Sequence, residues 1–411
     1  MPRAKLSPDA RRTLSMELRR APAIGVLETA FTTFGILILI KVFDAGSGPK
    51  AMLLGSARAG LIASILVVPL LHRCGVSLPR LVALIHCLGG VGFLWAAFDP
   101  DSLTAVVAGI SFGLFSFALQ TPLLTQLYRA NLPDLFRGRL FSLIGLVRAI
   151  SSIIFAYLGG RLLGVEMQFY QYLLFGFAGC AFYSAVLFSR LPYPEDSPAP
   201  RPIFGAFQWL RDDSEFRLLI ICWMILGLGN LMAMSLFVEY LANPKYGFAL
   251  AAATIAVLTG VVPPMVKLFA TYPCGALFDR MNFYRLRIFL NCILLSMILT
   301  FYLGGGIVGA CLGLCFQGIA LAGGNIIWSL WVTRIAPAER VAEYMSIHTF
   351  MTGLRGTVAP FLAYALIDRV SVPTFTWICA SMVIVATGML IPRAIRAETG
   401  NPTDSPGPQF D

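Results

Sequence analysis

The feature that most constrains this chain is a series of twelve apolar runs, each long enough to cross a bilayer. They lie at roughly residues 22–41, 51–71, 81–98, 103–126, 140–160, 170–189, 218–239, 249–275, 287–304, 307–331, 344–367 and 373–392. A helix rises about 1.5 Å per residue and a hydrocarbon core is about 30 Å thick, so about 20 apolar residues suffice to span it. Lipid offers the backbone no hydrogen-bond partners, so each run takes the form that satisfies its own N–H and C=O groups, the helix. With 57% hydrophobic and 13% charged residues among 411, against about a quarter charged in a soluble domain, little chain is left for anything else. The expected fold is an all-α polytopic membrane protein.

The runs fall into two related sets. When Arg355 is laid on Arg148, Leu362-Ala363-Tyr364 falls on Phe155-Ala156-Tyr157. A second match in the same order pairs Gln126-Leu-Tyr-Arg129-Ala-Asn-Leu-Pro133 with Leu330-Trp-Val-Thr-Arg334-Ile-Ala-Pro337. Two matches in one order point to a diverged duplication, hence two six-helix pseudo-repeat bundles.

Charge sets the expected orientation. Arg and Lys cluster at the amino terminus, at Arg73 and Arg80, at Arg129, Arg137 and Arg139, at Arg190, Arg201, Arg211 and Arg217, at Arg280, Arg285 and Arg287, at Arg334 and Arg340, and at Arg393 and Arg396. The alternate connections carry only Lys41, Lys50, Arg161, Lys245 and Arg369. The richer side is expected to be cytoplasmic, with both termini there. The net charge of +10 is spread between apolar runs and forms no single basic face, which argues against a nucleic-acid partner. The nine cysteines lie in or beside apolar runs, where they pack as small hydrophobes, so neither a disulfide framework nor a metal site is expected, Cys311 and Cys315 included.

The expected organisation is a basic cytoplasmic segment over 1–21, an amino-terminal bundle over 22–190, a proline-rich cytoplasmic linker over 191–217, a carboxy-terminal bundle over 218–392 and a disordered cytoplasmic tail over 393–411. Leu191-Pro-Tyr-Pro-Glu-Asp-Ser-Pro-Ala-Pro-Arg-Pro202 is too rich in proline for a helix. Phe204 to Leu210 is apolar enough to lie along the membrane surface, and Ser214 is the expected cap of the seventh helix.

Between the eighth and ninth runs stands Gly275-Ala-Leu-Phe-Asp279-Arg280-Met-Asn-Phe-Tyr-Arg285-Leu-Arg287. This stretch and the twelve-run, two-half layout resemble the major facilitator superfamily of secondary transporters. The resemblance implies that Gly275, Asp279, Arg280 and Arg285 act as a gating loop, the aspartate holding the two halves together in the outward-open state. The first-half counterpart, Leu71-His72-Arg73-Cys74-Gly75-Val-Ser-Leu-Pro-Arg80, puts His72 where the aspartate belongs. The fifth run also lacks the glycine-proline pattern common among that superfamily's drug antiporters.

A charge at mid-membrane costs on the order of 2.5–3.5 kcal/mol even on the gentlest scale, so each one that remains needs a reason. Four are basic: Arg58 in the second run, Arg148 in the fifth, Lys267 in the eighth and Arg355 in the eleventh. The intramembrane acids are Glu28 in the first run and Glu239 at the outer end of the seventh. The resemblance implies that runs two, five, eight and eleven line the interface between the halves and that runs one, four, seven and ten flank the cavity, so the expected cavity is net positive and suits an anion. Gln120 and Asn325, at matching depths in the repeat, are expected to add neutral hydrogen-bonding groups. Glu28 and His348 are the candidates for proton coupling, and Glu239 is expected to be a solvated residue at the mouth. A structural reading stands beside this: Arg148 bridged to Glu28, Arg355 donating to backbone carbonyls near Pro360, and Lys267 and Arg58 snorkelling.

The reading is a secondary transporter of a small anionic or zwitterionic metabolite, a monomer in contact with lipid, in a bacterial inner membrane. Proton-coupled efflux of amphipathic compounds, and a non-transporting receptor or assembly factor on the same fold, are the alternatives. The sequence holds no nucleotide loop or metalloprotease motif, so no cofactor and no enzymatic activity are expected.

Overall fold

The structure, a computed structural model, describes residues 7–73, 76–132, 134–193, 207–332, 335–337 and 340–399. Residues 1–6, most of the proline-rich linker and the tail after 399 lie outside these, as do Cys74, Gly75, Pro133 and Arg334 of the motifs above.

The described chain is helical, and its membrane-length segments number twelve: α1 (Pro8–Lys41), α2 (Ser47–Arg73), α3 (Leu78–Phe98), α4 (Leu103–Leu119 and Thr121–Asn131), α5 (Asp134–Val165), α6 (Tyr170–Ser189), α7 (Ser214–Ala242), α8 (Ala252–Arg280), α9 (Phe283–Leu303), α10 (Gly306–Leu330), α11 (Val341–Ile367) and α12 (Val372–Thr399). Ten are long and apolar enough along their described residues to cross a membrane. The all-α, twelve-helix architecture agrees with the apolar runs.

Helix ends depart from the runs where capping extends them. α1 begins well before its apolar stretch because the Ser7 hydroxyl accepts the Ala10 N–H and Pro8 opens the helix. Residues 8–21, expected as a basic segment, therefore form the first turns of α1. Glu17 and Arg20 are buried there, with Arg20 donating to Glu17 and to the Tyr128 hydroxyl. α7 is capped by Asp213, whose carboxylate accepts the Glu215 and Phe216 amides, and not by Ser214. An ionised acceptor at the cap serves two amides and favours the positive helix end.

α1 passes through a π turn at Ala30–Phe34. α4 breaks at Gln120, just before Pro122, and α8 breaks at Val261, just before Pro263 and Pro264. A proline ring removes the donor and crowds the preceding turn. α11 nevertheless runs unbroken over Pro360, and α10 over Gly323-Gly324.

Contacts divide the chain into two compact units. Unit 1 holds Met1–Arg201 together with Val238–Val261; unit 2 holds Pro202–Phe237 and Val262–Asp411. The segment 238–261, the end of α7 and the start of α8, thus belongs with the amino-terminal helices. In unit 1, α3 packs on α4 and α6, and α1 on α5. Its core joins Leu81, Val82, Ile85, Leu123, Leu127 and Phe188. In unit 2, α10 packs on α8 and α9, and α7 on α11 and α12, around Phe216, Trp223, Leu286, Leu290, Ile327, Trp331 and Ile347.

Candidate functional site

In unit 1 the charged site is built by a glycine. A Cβ at Gly25 would run into the Arg148 carbonyl and the Ser152 amide, so only glycine lets α1 lie against the α5 backbone there. Glu28, about one turn on, shares that face, and its Oε1 lies 2.8 Å from Arg148 Nη2. The two side chains are 32% and 42% exposed. A charged pair this open at membrane depth faces water, because lipid would not tolerate it. The Thr32 hydroxyl donates to the Glu28 carbonyl at 3.1 Å, inside the π turn, a feature frequent at functional sites. Arg58 on α2 sits over Phe31, its Cζ 5.4 Å from the ring centroid. Gln120 is buried, its Oε1 2.6 Å from His86 Nε2, so its carboxamide is turned into the bundle.

Glu239 is the clearest departure from expectation. It is fully buried and not a solvated mouth residue: Lys50 Nζ donates to Oε2 at 2.8 Å and Asn243 Nδ2 to Oε1 at 2.8 Å. The cause is the packing of 238–261 into unit 1. Gly160 faces Ala256 and Gly260 faces Ala156 without room for a Cβ, and the Thr33 and Thr259 hydroxyls meet at 3.1 Å. Glu239 itself is held out of water, and Lys50 supplies the counter-charge.

Unit 2 treats its cations differently. Arg355 is buried on α11 and donates to the Trp223 carbonyl of α7. Its guanidinium fills the space where a Cβ of Gly227 would stand, so a second glycine makes the passage. Arg287, expected in the cytoplasmic loop, is 5% exposed inside the bundle, with Cζ 3.9 Å from the Trp223 ring centroid. The physical reason lies at Asn282, whose side chain accepts the Tyr284 amide and starts α9 one turn before Arg287. His348, 1% exposed, is wedged among Trp223, Trp328 and Trp331, with ring centroids 5.0, 5.6 and 5.1 Å away. Lys267 is half-buried on α8, and Thr271 donates to its carbonyl at 2.7 Å. Asn325 is exposed on α10, and Gly275 comes close to Ile326. Asp279, Arg280 and Arg285 are all exposed at the α8–α9 connection. Asp279 and Arg280 form no ion pair among the described residues.

The candidates therefore gather in two places, Glu28 with Arg148 in unit 1 and Arg355 with His348 in unit 2. The sequence reading passed over Trp223, Arg287, Trp331 and the Lys50–Glu239 pair. The Asn282 cap was a readable signal for Arg287; nothing local marked the others.

Residues 263–409 match the Major Facilitator Superfamily. That match lies entirely within unit 2. Over the whole chain, the structure is similar to a single-residue mutant of the nucleoside transporter NupG, with a TM-score of 0.76 at 14% identity, covering 93% of this chain and 99% of that one. It is also similar to the Escherichia coli fucose:proton symporter, with a TM-score of 0.62 at 14% identity, covering 94% and 99%. The human organic anion transporter MFSD10 gives a TM-score of 0.65 at 15% identity, covering 93% and 100%. No curated protein sequence matches the chain. At these identities the solved structures establish the fold, an integral multi-pass membrane architecture shared with transporters.

Proposed function

We propose that the chain is a secondary transporter that moves a small anionic or zwitterionic metabolite by alternating access. The observation that carries the reading is the Glu28–Arg148 pair, two opposite charges 2.8 Å apart and part-exposed at membrane depth. A guanidinium fork suits a carboxylate or phosphate, and the neighbouring carboxylate offers a second site of opposite sign to a zwitterion. Glu28, released when Arg148 turns to substrate, is the residue of this pair through which proton coupling would run. The match of residues 263–409 to the Major Facilitator Superfamily and the likeness in fold to nucleoside, sugar and organic anion transporters fit a small polar solute. A bacterial cytoplasmic membrane with both termini inside suits the distribution of Arg and Lys.

Proteoliposome flux tests it. Loading with carboxylates, phosphates, amino acids and sugars should reveal an anion or zwitterion that the wild type moves and Arg148→Gln does not. Glu28→Gln should retain binding and lose the response to a proton gradient. Flux of lipophilic cations alone, or of no solute at all, would overturn the reading in favour of cation efflux or a non-transporting role.

A further inference from the structure

We propose that unit 2 contains a compact anion site around Trp223, with Arg287, Trp331 and His348 as its walls. It goes beyond the Glu28–Arg148 reading and stands whether or not that pair handles substrate. Arg287 Cζ lies 3.9 Å from the Trp223 ring centroid, and Arg355 Cζ lies 5.6 Å from it. Trp331 and His348 approach the same ring at 6.0 and 5.0 Å. Three helices of one unit, α7, α9 and α11, with Trp331 just past α10, thus bring two guanidiniums onto a single indole.

The polar inventory of this cluster is one-sided. Among the described residues no carboxylate pairs with Arg287, although it is 5% exposed. The indole N–H of Trp331, 0% exposed, has no acceptor, and His348 Nε2, 1% exposed, has no partner among them either. Every buried cation elsewhere in unit 1 that lies this deep, Arg20 and Lys50, has a carboxylate within 2.8 Å. An aromatic face offsets part of the burial of a cation but does not neutralise it. Buried donors without acceptors mark a missing partner, and the partner that the Arg287 guanidinium and the Trp331 indole N–H select is an anion. With rings only 5.0 and 6.0 Å from the Trp223 indole, the ligand is small: a halide or the head of a carboxylate or phosphate.

Intrinsic fluorescence reads the site directly, since three of the chain's six tryptophans, Trp223, Trp328 and Trp331, lie at it. Purified full-length protein in a maltoside detergent is titrated with sodium chloride, acetate or phosphate at ionic strength held constant with the sodium salt of a bulky sulfonate buffer. At least one of the three should give a saturable change with a rise in melting temperature. Loss of the charge-assisted contact in Arg287→Gln should weaken the midpoint about tenfold or more. Where Arg287→Gln does not fold, Arg287→Lys and Trp331→Phe should each weaken it several-fold. A response that fails to saturate for all three anions, or a midpoint unchanged in these variants, overturns the site. Because the readout is binding, loss of flux in Arg148→Gln neither supports nor removes it.

Discussion

Unit 1 and unit 2 descend from one pattern in the sequence, with Arg148 and Arg355 as its matching marks, yet they treat charge in opposite ways. Unit 1 pairs three of its cations with acids, Arg20 with Glu17, Lys50 with Glu239 and Arg148 with Glu28, and sets Arg58 over the Phe31 ring. Unit 2 sets Arg355 against the Trp223 carbonyl and Arg287 against the Trp223 ring. Three cations of unit 1 thus meet carboxylates, whereas in unit 2 Arg287 meets none among the described residues. The difference teaches that a repeated arginine does not carry a repeated role. Its meaning is set by what the opposing helix offers, a carboxylate from α1 in one case and a backbone carbonyl from α7 in the other.

The comparison is broken most forcefully at the buried pair. Glu239→Gln leaves Lys50 charged and enclosed, and removing one partner of a buried pair costs about 3–5 kcal/mol. Thermal melting in detergent should show the largest drop of any variant here, and Glu239→Gln with Lys50→Met should recover much of it. A single variant as stable as the wild type would mean that Glu239 is solvated after all.

Next in size is Gly227→Ala. Its new methyl group displaces the Arg355 guanidinium from the Trp223 carbonyl, an overpacking effect of about 1–3 kcal/mol. Gly25→Ala presses instead on backbone, the Arg148 carbonyl, and should cost at least as much as Gly227→Ala, because backbone cannot swing aside as a side chain does. If Gly227→Ala proves the more harmful, Arg355 is held more rigidly than the comparison assumes.

The smallest stability effect is expected at the open pair. Arg148→Gln and Glu28→Gln remove a part-exposed interaction worth about 0–1 kcal/mol, so melting should barely move while flux falls. A large loss of stability in either would make the pair structural and set unit 1 apart from any substrate role.

Much of the fold was legible because the membrane restricts the choices. Apolar runs of about 20 residues become helices with little room for tertiary override, and twelve runs became twelve helical segments. The candidate site was legible in part. The cost of a charge in lipid singled out Glu28, Arg148 and Arg355, and the structure gives each a specific partner. The gating loop Asp279-Arg280 and the neutral Gln120 and Asn325 rested on pattern and depth alone; the structure turns Gln120 toward His86 and leaves Asp279 and Asn325 exposed.

The sequence by itself determined the number of helices, the duplication and which charges needed an explanation, since each follows from hydropathy and rise per residue along one segment. Only the tertiary structure decided which charges are neutralised. Glu239 and Lys50 are 189 residues apart, and Arg355 and Trp223 are 132 apart; no local period encodes such meetings. They depend on where Gly25, Gly160, Gly227 and Gly260 let one helix approach another, and a glycine in a sequence does not say which neighbour it admits.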